Sequence, residues 1–168
     1  LAANRFAAAA RWLTYHVRTA PADAGAFWLL AGARMRTGDY AGAERAIRTC
    51  IALSPGTGTA HALLGEILAC QSQLPAAESA LRDGLRLAPG LPQGVLSLAR
   101  VLQSQGRHRE ALKCLAEQPG IPLPLGVHGL RAHSLLALRH WPEAIAELRM
   151  AIAEQPGNAS MSSALAIA

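Results

Sequence analysis

The chain has 168 residues, a formal net charge of +5, 51% hydrophobic residues and only 4% aromatic ones. Its apolar content is mainly Ala and Leu, which favours helices in close contact. No apolar run approaches the 18 or more residues of a membrane span, and the first residues lack the charged-then-apolar order of a signal peptide.

The first element is a helix within 1–23, ended by Pro21. From there the sequence repeats. Ala9, Ala43, Ala77 and Ala111 are evenly spaced, and Pro21, Pro55 and Pro89 keep the same interval, as do Phe6, Tyr40, Leu74 and His108. A period of about 34 residues means one supersecondary unit stacked repeatedly. The expected units are 24–57, 58–91, 92–124 and 125–158. Residues 1–23 precede them as the second helix of a partial repeat, and 159–168 follow as the start of a further first helix. In unit 24–57, Phe27, Leu30, Ala31 and the stem of Arg34 form one face of a helix over 24–37. Gly38-Asp39 interrupts it. Tyr40, Ala43, Ala46, Ile47 and Cys50 then line a second helix over 40–53, stopped by Ser54-Pro55-Gly56.

Unit 58–91 repeats the scheme, with helices expected over 58–71 and 74–87. His61, Leu64, Gly65 and Leu68 mark the first; Leu74, Ala77, Leu81 and Gly84 mark the second. The third pair is expected at 92–105 and 108–118, with Val95, Leu98, Ala99 and Leu102, the break at Gly106, then Ala111 and Leu115. Pro119, Pro122 and Pro124 make a connector, expected to tuck Ile121, Leu123 and Leu125 into the junction. The last pair is expected at 126–138 and 141–154. Ala31, Gly65 and Ala99 should face Ala43, Ala77 and Ala111, because helices approach to about 8–10 Å only through small side chains.

These residues resemble the tetratricopeptide repeat (TPR) family. Phe27-Leu30-Ala31, Gly38-Asp39-Tyr40, Ala43, Ile47 and Pro55 follow its pattern. So do His61-Leu64-Gly65-Leu68 with Ala77-Leu81 and Pro89, and Leu98-Ala99-Leu102-Gly106 with Ala111-Leu115. Arg34 departs from it, standing where an aromatic is usual. The resemblance implies an all-α, right-handed superhelical solenoid of antiparallel helix pairs. It also implies a non-catalytic scaffold that binds a peptide or helix of a partner protein in a groove lined by the first helices. On that mapping the groove residues are Trp28, Met35, Arg36, Thr59, Glu66, Gln93, Arg100 and His133. Gly32, Ala62, Leu63, Cys70, Leu96 and Gln103 face the same way. Trp12 and Trp141, on second helices, read as packing residues. One TPR subfamily clamps a terminal carboxylate with Lys, Arg and Asn, but the matching places here hold Trp28, Gly32, Ala62 and Glu66.

Catalytic motifs are missing: there is no Gly-x-Ser-x-Gly, His-Glu-x-x-His, P-loop or Cys-x-x-Cys. No cofactor or metal is expected. His61 and His128 read as packed, singly hydrogen-bonded histidines. Cys50, Cys70 and Cys114 share no ligand spacing and read as reduced thiols, which fits a cytoplasmic protein and leaves a periplasmic one open. Basic residues fall mostly on second helices, among them Arg11, Arg18, Arg45, Arg48, Arg82, Arg86, Arg109, Lys113 and Arg149. Glu44 and Glu78 each stand four residues before an Arg, the pattern of a solvated face and not of a nucleic-acid surface. The partner expected is a protein or peptide, self-association included. The Arg- and Ala-rich composition fits a GC-rich bacterial genome. A fragment of a longer protein is expected, and the rival reading makes these repeats the regulatory or substrate-docking arm of an enzyme such as a transferase.

Overall fold

The computed structural model describes residues 2–116 and 126–154, with side chains from Arg5 onward. Every element among them is an α-helix: α1 Ala2–Thr19, α2 Ala24–Arg36, α3 Tyr40–Leu53, α4 Gly58–Cys70, α5 Leu74–Leu87, α6 Pro92–Ser104, α7 His108–Ala116, α8 Val127–Ala137 and α9 Trp141–Glu154. The chain forms two compact units, 1–91 with α1 to α5 and 92–168 with α6 to α9. The connector with Ile121, Leu123 and Leu125, and the segment 159–168, lie outside the described residues.

The helices begin and end where local chemistry stops them. Asp23 caps α2 by accepting from Ala26 N at 2.9 Å, and Asp39 caps α3 by accepting from Gly42 N at 2.9 Å. Each cap satisfies an amide that the helix itself cannot. Four first helices close with the same turn. Asp39 N donates to Arg34 O, Gln73 N to Leu68 O, Arg107 N to Leu102 O and His140 N to Leu135 O, all at 2.9–3.0 Å. This bond needs a left-handed residue just before the donor. Gly38 (φ 83°) and Gly106 (φ 74°) supply it freely, whereas Ser72 (φ 61°) and Arg139 (φ 62°) supply it at a steric cost.

Packing follows the small residues. Ala43, Ala77, Ala111 and Ala144 are completely buried, and so are Ala31 and Ala99 on the first helices. The α4–α5 contact shows why. A Cβ on Gly65 would stand 3.0 Å from Ala77 O and 2.5 Å from Leu81 Cγ, and one on Gly84 would stand 2.9 Å from Ala62 N and from Gly58 O. The helices touch backbone to backbone here. Beside this seam Ile47, Leu81, Leu115 and Leu148, each on a second helix, are at most 3% exposed.

Candidate partner-binding groove

In the first unit, α1, α2 and α4 enclose an open pocket of about 560 Å³. Four of the eight expected groove residues line it: Trp28, Met35 and Arg36 from α2 and Glu66 from α4. Gly32 and Leu63 join them as expected. The spacing explains the convergence, since residues 28, 32, 35 and 36 fall on one stripe of α2. Gly32 forms part of the floor, and a Cβ there would meet nothing within 4 Å. The space above it is therefore available to an incoming side chain.

Thr59 is exposed on the first turn of α4 but does not line this pocket. Ala62, expected at the groove, is instead 6% exposed, because its backbone packs against Gly84 of α5. Cys70 is exposed and away from the pocket.

The N-terminal helix supplies residues that the repeat pattern did not assign to the groove. Phe6 and Trp12 of α1 line the pocket, as does Leu29 of α2. Trp12 is 62% exposed, so its reading as a packing residue is wrong, and Trp141 at 46% is wrong in the same way. A signal was present in the sequence: Trp12 stands one full period before Ala46, which is small and buried. A large residue in a small-residue place marks a position that has room for its volume.

Polar contacts fix the pocket wall. Trp12 stacks on His16 with centroids 5.2 Å apart, and His16 Nε2 lies 3.1 Å from the carboxylate of Asp23, the cap of α2. The Ala26 amide, and next the His16 side chain, hold Asp23 below the usual carboxylate range. The Arg36 guanidinium lies 5.5 Å from the Phe6 ring centre, a cation–π contact on the rim. Arg34 explains the lost aromatic. It donates to Gly42 O at 3.2 Å and to Thr14 Oγ1 at 3.3 Å, and it lies 3.7 Å from Asp39, joining α1, α2 and α3. Gln71 performs a similar service between repeats, donating to Glu44 at 3.0 Å and to Tyr40 O at 3.3 Å.

A second cavity of about 490 Å³ lies among α3, α4 and α5, and its lining includes Arg48, His61 and Asp83. His61 is half-buried on this wall, and its Nε2 sits 3.1 Å from Pro55 O, the single partner expected of it. The expected i,i+4 pairs form, Arg48 to Glu44 at 2.9 Å and Arg82 to Glu78 at 2.8 Å.

In the second unit, Gln93 and Arg100 are exposed on α6, and His133 is exposed on α8 with its ring edge-on to His108 at 5.8 Å. Leu96, expected to face solvent, is 6% exposed. Gln103 is a structural bridge, donating to Leu130 O and to Ser134 Oγ at 2.7 Å each. His128 departs from the single-partner reading: its Nδ1 is 2.6 Å from Glu147 and its Nε2 3.5 Å from Glu154, so it ties α8 to α9 through two carboxylates. The nine basic residues expected on outer faces are all exposed. Among the described residues, no helix is long and apolar enough to cross a membrane.

No curated protein matches the chain in sequence. Solved structures match it in fold. TTC0263, a thermophilic TPR protein of Thermus thermophilus, superposes with a TM-score of 0.78 at 20% identity, covering 98% of this chain and 91% of its own. A chain of the APC/C hetero-tetramer Cut9–Hcn1 gives 0.84 at 17% identity, over 98% of this chain and 33% of that one. YrrB, described as a TPR protein with an unusual peptide-binding site, gives 0.74 at 18%, over 96% and 84%. Such identities speak for the fold alone. The repeat itself is matched in sequence by the tetratricopeptide repeat pattern over residues 1–56 and 29–92. Those two overlapping matches span more than half the chain, and the antiparallel pairs, the buried alanines and the shared turn are the structure such a repeat builds: the chain belongs to the tetratricopeptide repeat family.

Proposed function

We propose that this protein is a non-catalytic binding module that receives a peptide or helix of a partner protein on its first helices. The observation that carries the reading is the pocket around Trp28. It is apolar, open and of the size that takes one or two large side chains, with Arg36 and Glu66 as its charged rim. Trp28 is 39% exposed on that wall, and an exposed Trp in a concave site is a typical anchor. Thr59 extends the surface in the first unit. Gln93, Arg100 and His133 are exposed contact positions of the second. YrrB, a fold neighbour, is described as peptide-binding, which is in keeping with this use of the fold.

Selection of a displayed peptide library on the whole chain tests the reading. Selected peptides should carry a large apolar anchor. Trp28→Ala should weaken them by about thirtyfold, the scale of a hot spot of about 2 kcal/mol. Gly32→Leu, whose Cβ would meet nothing within 4 Å, should fill the floor and weaken them by at least about tenfold. Binding unchanged in both variants would show that the peptides use another surface.

A further inference from the structure

One buried polar atom of the second unit has no partner. His108 opens α7 and is half-buried, and its Nδ1, shut off from solvent, finds no hydrogen bond among the described residues. Such an atom costs stability, and in a native fold it calls for an explanation, a bound ion among them. The ring beside it is a second imidazole. His133, exposed on α8, has its ring centre 5.8 Å from that of His108, with the two planes at 75°.

The repeat makes this meeting particular to one junction. Counted in register, the places of His108 and His133 hold Phe6 and Gly32, Tyr40 and Glu66, and Leu74 and Arg100 in the earlier units. Only here are both imidazoles. The two helices are fixed independently of the rings: Arg131 of α8 donates to Leu115 O of α7 at 2.9 Å, and Ala111, Leu115 and Ala132 are at most 1% exposed. The separation suits a shared ion. A metal bound by one nitrogen of each ring lies about 2.0–2.1 Å from that nitrogen, and so about 3.2 Å from the ring centre. The two centres then stand about 5.2 Å apart at a tetrahedral angle and at most about 6.4 Å apart with the rings opposed. The observed 5.8 Å falls between these limits, so α7 and α8 need not move. His133 is exposed, and its ring can turn without disturbing the core.

We propose that His108 and His133 share a divalent late first-row metal ion, of the Zn2+ and Cu2+ class, that clips α7 to α8. Imidazole is the commonest protein ligand for these ions. Among the described residues no group of three His, Cys, Asp or Glu side chains is placed to hold a metal, so the two rings and water make up the set. An ion held in this way is exchangeable, unlike one in a closed four-ligand site. The inference is independent of the pocket around Trp28.

Isothermal titration of the whole chain with Zn2+ alone, after removal of any histidine tag and of carried-over metal, tests it. One ion should bind per chain. His108→Ala and His133→Ala should each weaken binding by at least about tenfold, since loss of even an outer partner of a ligand costs that much. His140→Ala, which removes an exposed imidazole elsewhere, should leave it unchanged. With Cu2+ in place of Zn2+, electron paramagnetic resonance should show two coordinated nitrogens in the wild type and one in either alanine variant. Zn2+ should also raise the urea midpoint of the wild type and leave that of the double variant where it was. If an alanine variant loses its helical circular dichroism, His108→Gln and His133→Gln decide in the same way. Three results would overturn the proposal: no binding at millimolar Zn2+, binding that survives in the double variant, or binding that either single variant leaves untouched.

Discussion

Two glycines on matching helices should respond to alanine in opposite directions. Gly32 lies inside α2 and Gly65 inside α4, so each gives up the same intrinsic helix preference, about 0.8–1 kcal/mol relative to Ala. At Gly32 the added methyl would meet nothing within 4 Å, so Gly32→Ala should stabilise the chain by about 0.5–1 kcal/mol. At Gly65 the methyl would stand 2.5 Å from Leu81 Cγ and 3.0 Å from Ala77 O. Neither neighbour can yield easily, because Leu81 is fully buried and the oxygen is backbone of α5. Overpacking of this kind costs about 1–3 kcal/mol, which cancels or exceeds the helix gain. The two variants should therefore differ by about 1–3 kcal/mol in urea unfolding followed by far-ultraviolet circular dichroism. Removing the obstacle makes the test sharper. In the Leu81→Ala background the close contact with Ala77 O remains but the one with Leu81 is gone, so Gly65→Ala should become clearly less destabilising, a coupling of about 1 kcal/mol. Equal midpoint shifts for Gly32→Ala and Gly65→Ala, or strict additivity with Leu81→Ala, would refute the backbone-close seam.

Three further outcomes are expected. Ser72 and Arg139 hold a left-handed turn that Gly38 and Gly106 adopt without strain, so Ser72→Gly and Arg139→Gly should each raise stability by up to about 1 kcal/mol; lowered unfolding midpoints would contradict this. The Gln71 amide, and next Arg48, lower the pKa of Glu44 below its ordinary 4.5. Its stabilising contribution is therefore complete above that value and lost as pH falls through the lowered one, so the stability gap between wild type and Glu44→Gln should be constant near neutral pH and shrink only below about pH 4.5. Burial raises the thiol pKa of Cys50, which is 2% exposed, while Cys70 is exposed. A thiol reagent should label Cys70 in the native chain and reach Cys50 only on unfolding, and prompt native labelling of Cys50 would place it outside the core.

Much of the helix pattern was legible because period and small residues act together. Ala43, Ala77 and Ala111 recur at the one place where volume decides whether two helices meet, and all three are fully buried. Other features depend on contacts far apart in sequence. The carbonyl that receives Arg34 is eight residues away, and the hydroxyl it also meets is twenty away, on α1. Read alone, Arg34 is merely a missing aromatic. Ser72 gave no sign of its turn, since serine has no preference for a positive φ; only its alignment with Gly38 and Gly106 reveals it. His128 looked like a filler of the large-residue slot, but Glu147 and Glu154 approach it from α9. Gln103 looked solvent-facing because helical phase was read without the neighbour that receives its amide on α8.

The groove residues add a rule about what a repeat hides. A repeat fixes which places are covered when the same neighbour is present every time. Ala62 is 6% exposed, while Trp28, at the same place in the preceding unit, is 39% exposed. Ala46 is 4% exposed, while Trp12, its counterpart one period earlier, is 62% exposed. In each comparison the larger residue stands where cover is incomplete, and both tryptophans border the same apolar pocket. A Trp could not replace Ala46 or Ala62 in their own seams, since the helices there are held together by the absence of volume. The large residues at 12 and 28 thus stand where volume is tolerated, and together they give the first unit its exposed apolar surface. In this chain the departures in side-chain volume, more than the repeat consensus, locate the exposed apolar pocket.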